Sequence, residues 1–389
     1  MVRSLKNFYH LLRAVLATIF FRFPTKNLFV IGVTGTDGKT TTVHLITHIL
    51  KAAGKKTAMI STVSAPGFHV TTPDSWQLQR FLRKAVDEKK EYVILEATSH
   101  GLDQHRLFGC NFKMGVITNV TYEHLDYHGT WKNYLKAKAR LFNGVKWAIL
   151  NRDDASYRYL DTEILRYRDI KIITYGIKKK ADLTPETFKF KTNLLGEFNL
   201  YNCLAAISAA KILGIPDKKI RQSLLSFEPV SGRLEEIDEG QDFKIFIDFA
   251  HTPNAFRQIL PALKKITQGK IIHVFGCTGD RERTKRPIMG EISAKFSDKI
   301  ILTHEDTYSE DPKKIIAEIE PGVEKGGKIL AKNYWKIEDR REAIKKAIEM
   351  AEKGDIVLVT GVGHQNSLNI GGKEISWSDQ KEVRKILEK

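Results

Sequence analysis

Leu28-Phe29-Val30-Ile31-Gly32-Val33 runs through Thr34 into Gly35-Thr36-Asp37-Gly38-Lys39-Thr40-Thr41, and this stretch decides the fold. An apolar, strand-like run enters a glycine-rich turn, and a helical pattern (Val43, Leu45, Ile46, Ile49, Leu50) leaves it. That is a P-loop arrangement. Glycines let backbone N–H groups converge on a polyphosphate, the lysine reaches the terminal phosphates, and the hydroxyl after it ligates Mg²⁺. The full consensus wants glycine at position 33, where this chain has Val33. A Gly-Lys-Thr turn also occurs as a plain tight turn with a helix cap. Here strand, turn and helix stand in order, which favours nucleotide binding.

Outward from that stretch, apolar strands alternate with amphipathic helices. Strands are expected at Leu28–Val33, Thr57–Ser61, Tyr92–Glu96, Gly115–Val120, Trp147–Asn151 and Ile170–Tyr175. Helices are expected at Thr41–Ala53, Trp76–Val86, Trp131–Phe142 and Tyr201–Leu213. Such alternation predicts an α/β domain with a mostly parallel sheet. Past Ser231-Gly232 a second alternation begins, with strands at Lys244–Asp248, Lys270–Phe275, Lys299–Thr303 and Ile356–Thr360. Its helices start near Ala255, Arg286, Pro312 and Asp339, and Gly371-Gly372 suggests a hairpin. The expected organisation is a short helix over 1–26, a P-loop domain over 27–231 and a Rossmann-like α/β domain over 232–389.

The 389 residues suffice for two or three domains. Cys110, Cys203 and Cys277 have no paired spacing, so neither a zinc site nor a disulfide framework is indicated. A reducing, cytoplasmic setting is the simpler reading. The net charge of +17 invites a nucleic-acid partner, yet the basic residues are scattered and no nucleic-acid motif is present. A diffuse basic surface suits anionic small substrates instead, and no nucleic-acid partner is expected.

The first 26 residues place Leu5, Phe8, Leu12, Val15, Leu16, Ile19 and Phe20 at helical spacing among Arg3, Lys6 and Arg13. The apolar part is too short and interrupted to span a bilayer and lacks a signal-peptide cleavage pattern. Two readings compete: a helix docking its apolar face on the protein body, or one lying on an anionic membrane. Docking is the preferred reading.

Glu96 closes a strand, and His124 follows another within Asn119-Val120-Thr121-Tyr122-Glu123-His124. In open α/β sheets ligands gather outside the carboxyl ends of strands, so Glu96 and the P-loop are expected to share a crevice. A carboxylate there suits Mg²⁺.

Gly35-Thr36-Asp37-Gly38-Lys39-Thr40-Thr41, Glu96-Ala97-Thr98-Ser99-His100-Gly101-Leu102 and Gln104-His105-Arg106 continue into His124-Leu125-Asp126-Tyr127-His128-Gly129 and Asp248-Phe249-Ala250-His251-Thr252-Pro253. In this order the set resembles the Mur ligases, within them the branch that adds the third amino acid to a UDP-muramoyl dipeptide. Gly276-Cys277-Thr278-Gly279-Asp280-Arg281 and Lys285-Arg286-Pro287 extend the likeness. The folylpolyglutamate synthases share the ATP core but not the His-Leu-Asp-Tyr-His-Gly and Gly-Asp-Arg segments.

The resemblance implies an ATP-dependent ligase of peptidoglycan precursor synthesis. ATP phosphorylates the carboxylate of a UDP-muramoyl-peptide-like acceptor, and a free amino acid attacks the acyl phosphate. It implies ATP contacts from Gly35, Thr36, Asp37, Gly38, Lys39, Thr40, Thr41, Asn119, Asn202, Arg233 and Asp248. Arg233, at the expected hinge, would couple ATP binding to closure of the second domain. The implied metal set is two Mg²⁺ held by Thr40, Glu96, His124 and Lys138, the lysine carried as a carbamate. Lys39, Asp248 and His251 join these as catalytic residues. Substrate contacts are implied for Thr71, Thr72, Thr98, Gln104, Arg106, Arg281, Glu305, Asp306, Tyr308, Gly361 and Gln365. A monomer is expected.

Three departures stand out. Only 26 residues precede the core, so the family's UDP-gripping domain is expected to be missing. The Asp-Asn-Pro-Arg motif of diaminopimelate users aligns with Glu305-Asp306-Thr307-Tyr308, which puts a phenol where they carry arginine. The glutamate after Gly-x-Gly-His is Gln365. A monocarboxylic amino acid, lysine first, is therefore expected. Two alternatives stay open: the same chemistry on a lipid-linked or other non-UDP acceptor, and a non-catalytic nucleotide-binding subunit.

Overall fold

The computed structural model describes residues 2–64, 71–164 and 169–388, with side chains from Lys6 onward. The side chains of Arg3 and Leu5, part of the N-terminal pattern, lie outside the described set. The chain divides into two compact units, Met1–Leu194 with Phe198–Glu228, and Leu195–Glu197 with Pro229–Lys389.

In the first unit, strands β1 (Phe29–Thr34), β2 (Thr57–Ile60), β3 (Tyr92–Glu96), β4 (Phe112–Ile117), β5 (Trp147–Asn151) and β6 (Lys171–Tyr175) form a sheet among the described residues. All its pairings are parallel, in the order β2-β3-β1-β4-β5-β6. Successive residues of β1 from Val30 onward are buried, as expected for a strand covered on both faces. Connecting helices are α1 (Val2–Phe20), α2 (Lys39–Ala52), α3 (Ser75–Asp87), α4 (Ser99–Asp103), α5 (Leu125–His128), α6 (Trp131–Ala139), α7 (Tyr157–Ile164), α8 (Glu197–Ile212) and α9 (Asp217–Leu225). Register aligns Val33 of β1 with Glu96 of β3, and Thr34 with Ile117 of β4. The loops leaving β1, β3 and β4 therefore start at one level, beside the strand where connections diverge to either side.

The second unit carries β7 (Glu235–Ile237), β8 (Lys244–Asp248), β9 (Ile271–Phe275), β10 (Lys299–Leu302), β11 (Tyr334–Lys336) and β12 (Ile356–Thr360). Their order is β11-β10-β9-β12-β8-β7, parallel except for antiparallel β7 at the edge. A hairpin of β13 (Ser367–Ile370) and β14 (Lys373–Ser376) turns at Gly371-Gly372. Helices α10 (Pro253–Lys264), α11 (Lys285–Phe296), α12 (Pro312–Lys325), α13 (Arg340–Glu349) and α14 (Asp379–Leu387) complete it.

Several expectations need correction. Strand β4 begins at Phe112 and ends at Ile117, so Asn119 and Val120 lie in the loop beyond it. The helix expected over Trp131–Phe142 is α-helical only to Ala139, and Arg140–Phe142 tightens into a 3₁₀ turn. The short strands β7 and β11 and helices α9 and α14 were not foreseen; strands of three residues carry too little alternation to stand out.

The N-terminal helix docks, but not by its apolar face. Ala14, Ala17 and Thr18 are the residues it buries, and Thr18 and Gln79 both hydrogen-bond the Phe108 carbonyl. Asn7 donates to Asp103, Arg13 pairs with Asp74 at 4.0 Å, and Phe20 and Phe21 meet Trp76. Phe8, Leu12, Leu16 and Ile19 face outward instead, and Phe20 keeps most of its surface exposed beside Trp76. No helix among the described residues is long and apolar enough to cross a membrane.

Candidate active site

The turn between β1 and α2 is held by the loop after β4. Thr36 N donates to the Asn119 carbonyl at 2.8 Å, and Asp37 N donates to Asn119 Oδ1 at 3.0 Å. Asn119 Nδ2 and Thr118 Oγ1 return donations to the Asp37 carbonyl at 3.1 and 2.6 Å. Gly38 adopts φ +80°, and a Cβ there would overlap Asn202 Oδ1 of α8. Glycine is thus required twice, by its backbone angle and by the approach of Asn202. Asn202 is itself fixed by Asn199 Oδ1 at 2.9 Å. Lys39 opens α2 with Nζ on the Thr36 carbonyl at 2.7 Å, while Thr40 and Thr41 are buried in its first turn.

Glu96 forms the wall of this turn. Its buried carboxylate accepts from Thr40 Oγ1 at 3.0 Å, from Thr62 N at 2.8 Å and from Thr62 Oγ1 at 3.0 Å. Thr62 Oγ1 in turn meets Thr71 Oγ1 at 3.1 Å. Expected neighbours Thr40 and Glu96 are therefore in direct contact. Thr62 had no signal in the sequence, because only the pairing of β2 with β3 brings it to Glu96.

Lys138 of α6 lies in the interior, 1% exposed, and its Nζ donates to the Gly35 carbonyl at 2.5 Å. The amine sits 4.3 Å from the centre of the Tyr134 ring. Burial, and after it the Lys39 charge, drive its pKa well below that of an ordinary lysine, against the opposing pull of Asp37 and Glu96. This is no surface lysine. Tyr134, whose hydroxyl meets Thr36 Oγ1 at 3.2 Å, is another residue the sequence did not flag.

His124 has left-handed backbone, φ 56°, at the start of α5. Its ring lies 4.9 Å from that of His100 and 6.0 Å from that of Tyr134. Among the described residues no three His, Cys, Asp or Glu side chains converge as a metal cluster. Divalent magnesium commonly takes one or two carboxylates plus phosphate oxygens and water, and the Thr40–Glu96 pair has that donor chemistry.

Thr72 Oγ1 bonds the Glu96 carbonyl at 3.1 Å and Thr98 Oγ1 at 2.9 Å, and Arg106 Nη1 donates to the Thr72 carbonyl at 3.0 Å. Gln104 Nε2 reaches the Tyr127 hydroxyl at 3.3 Å. Thr71, Thr72, Thr98 and Arg106 thus form a chain leading from Glu96, with Gln104 just past the end of α4.

In the second unit, Asp248 ends β8 and accepts from Leu234 N at 2.7 Å and Ala250 N at 2.6 Å. Arg233 lies over the Phe249 ring, and His251 Nδ1 is 2.8 Å from the Phe249 carbonyl. Lys285 Nζ donates to the His251 carbonyl at 3.0 Å. Glu305 is buried against Gly361, where a Cβ would overlap its Oε1, and accepts from Thr278 Oγ1 at 3.1 Å. Burial pushes its carboxyl up to about 7, with Arg340 and Lys285 opposing. Asp306 accepts from Asn369 N at 2.8 Å and Gln365 Nε2 at 3.4 Å. Tyr308, at φ 48°, sits 5.8 Å from the Arg281 guanidinium, and burial raises its phenol. Arg340, unremarked in the sequence, is fully buried and joins Asp379, the Thr360 carbonyl and the His304 carbonyl behind Glu305.

Non-glycine residues with left-handed backbone include His105, His124, Leu234, Asp280 and Tyr308, each at or next to a candidate site residue. Arg22, Phe23, Lys89, Asp169 and Ala331 share this backbone away from any candidate site residue, so it marks ordinary turns as well.

The model of the Mur ligase middle domain matches residues 33–210, and that of the Mur ligase, glutamate ligase domain matches 232–363. The chain belongs to the Mur ligase family. Over 95% of its length it is 39% identical to the UDP-N-acetylmuramoyl-L-alanyl-D-glutamate--2,6-diaminopimelate ligase of Geobacillus thermodenitrificans, covering 81% of that protein. It is 40% identical to the enzyme of the same name from Syntrophomonas wolfei, with 96% of this chain and 81% of the relative covered. A solved structure of a ligase of that name, 34% identical, superposes with a TM-score of 0.63 over 93% of this chain and 78% of the other. As a Mur ligase, the protein is an ATP-dependent ligase of the acid–amino-acid class, in a family that requires magnesium.

Proposed function

We propose that this Mur ligase joins the terminal carboxylate of a UDP-muramoyl dipeptide to the amine of an incoming amino acid, through an acyl phosphate, in peptidoglycan precursor synthesis. The observation that carries the reading is the Thr40–Glu96 contact of 3.0 Å against the glycine turn, with buried Lys138 on the Gly35 carbonyl of the same turn. Bound ATP supplies the phosphoryl group that activates the carboxylate. Lys39 would neutralise charge on the β- and γ-phosphates, and Thr40 with Glu96 would hold one Mg²⁺, which would supply further charge neutralisation. Gly35 to Thr41 with Asn119, Asn202, Arg233 and Asp248 are assigned to the nucleotide, and His251 lies next to Asp248. His124 and a carbamate on Lys138 are assigned to a second Mg²⁺. The low basicity of the Lys138 amine supports this, because only a neutral amine adds carbon dioxide.

Thr71, Thr72, Thr98, Gln104 and Arg106 are assigned to the acceptor peptide, its carboxylates suiting the arginine. The domain over 27–231 then serves ATP, and that over 232–389 the amino acid, in a monomeric cytoplasmic enzyme. The α-carboxylate of the amino acid falls to Arg281. Tyr308 supplies no charge for a second carboxylate, and Glu305 and Asp306 offer acids for a distal ammonium, so lysine is the first candidate. Diaminopimelate is the competing reading, motivated by the names of the relatives.

The deciding experiment measures phosphate release with ATP, Mg²⁺, the UDP-muramoyl dipeptide and separate amino acids. Acceptor-dependent release that favours lysine over meso-diaminopimelate in kcat/KM is expected, and Lys39→Ala, at the first residue of α2 where alanine suits the helix, should abolish it without unfolding the protein. Preference for diaminopimelate overturns the reading of Tyr308. Activity only on a lipid-linked acceptor overturns the UDP substrate, and ATP binding without turnover overturns the ligase reading.

A further inference from the structure

We infer that the outward face of α1 is a docking surface for an anionic lipid bilayer. Phe8, Tyr9, Leu12, Leu16, Ile19 and Phe20 are between 47 and 68% exposed. At 100° per residue they fall within a sector of about 120° along a helix of roughly 28 Å. The opposite side, with Ala14, Ala17 and Thr18, is packed on the first unit, so the apolar stripe is fixed in place and points away from its support. A soluble surface rarely leaves so much contiguous apolar area without a partner.

Charge identifies the partner. Residues 1–36 contain Arg3, Lys6, Arg13, Arg22 and Lys26 and no aspartate or glutamate, the first acidic residue being Asp37. Lys6, Arg22 and Lys26 are exposed, and Lys26 lies 5.0 Å from the centre of the Phe23 ring, itself exposed at the end of the stripe. Asp74 partners Arg13, and Asp103 accepts from Asn7, which places these two acidic groups, among the described residues, on the docked edge of α1. Aromatic and aliphatic side chains on one face with lysine and arginine alongside suit a helix lying in the headgroup layer, where each added basic residue strengthens attraction to anionic lipid. The basic residues along the helix keep it from spanning the bilayer, in line with the absence of a membrane-crossing helix among the described residues.

The test is co-sedimentation of the 389-residue protein with vesicles of phosphatidylcholine alone or mixed equally with phosphatidylglycerol. Binding to the anionic vesicles that weakens with added salt is expected. Leu12→Glu with Leu16→Glu should weaken it about 10-fold or more. Lys6→Glu with Lys26→Glu should lose the preference for phosphatidylglycerol. All four positions are exposed and none belongs to the candidate site, so both variants should keep wild-type thermal unfolding and phosphate release in solution. Equal binding to both vesicles, no binding to either, or binding that survives Leu12→Glu with Leu16→Glu overturns the proposal. So does wild-type self-association that the same variant abolishes, which would make a second copy the occupant.

Discussion

At the scale of single residues, Lys138 and Glu305 show burial setting chemistry. Lys138 is enclosed with its amine on the Gly35 carbonyl, where an ammonium is disfavoured. Lys138→Ala should cut turnover on the order of 10²-fold, and a small added carboxylate should restore part of it by replacing the carbamate oxygens. An unmodified mass in bicarbonate with full activity of the alanine variant would remove the carbamate. Glu305 gives a pH signature. Its carboxyl is pushed up to about 7 in the folded chain, so between its unfolded value and 7 the native state holds a proton that the unfolded state has lost. Stability from this group is therefore full in acid and is lost as pH rises through 7. Glu305→Gln lacks that dependence, and relative to wild type it should gain at most about 3 kcal/mol between pH 4 and pH 8, read by denaturant titration. Lys39, Glu96 and Asp248 were legible in the sequence because each ends a strand or opens a helix. Thr62, Tyr134 and Arg340 were not, since their partners Glu96, Thr36 and Asp379 reach them only through tertiary packing.

At the scale of elements, the alternation of strand and helix was legible because most central strands are continuous apolar runs bounded by turns. The N-terminal helix shows where that logic fails. Its period announced an amphipathic helix correctly, but periodicity cannot say which face meets the protein, and here small residues rather than large ones do. Helix α14 went unseen for a related reason, being short and highly charged, yet it is tied down from within. Arg340 of α13 and Asp379 of α14 are both fully buried and bonded at 2.7 and 2.8 Å, with Trp377 Nε1 on the same carboxylate. Removing one partner leaves a charge in the interior. Asp379→Ala should cost about 3–5 kcal/mol, detected as a lower midpoint in denaturant, while Glu388→Ala on the exposed end of α14 should change little. Equal midpoints for the two variants would show that the pair does not anchor the helix.

At the scale of the whole molecule, the two units were legible as two runs of α/β alternation, whereas the order of strands within each sheet was not. Parallel pairing joins strands distant in the chain, and no local pattern records it. That order has a consequence for biosynthesis. Of the described strands β1 is made first, yet it lies between β3 and β4. It has no complete set of neighbours until Ile117 has been made. The first unit also includes Phe198–Glu228, whose α9 packs on α2. A nascent chain stopped before Glu228 should accordingly stay sensitive to protease, and one extended beyond it far enough to clear the exit tunnel should become resistant over its first 228 residues. Until Glu96 has been made the apolar Phe29–Thr34 segment has no strand partner, a long-range closure of the kind that makes parallel sheets slow to form. Within the first unit, the strand that carries the nucleotide loop is thus the described strand whose exposure during synthesis lasts longest, and it is there that a chaperone would have most to protect.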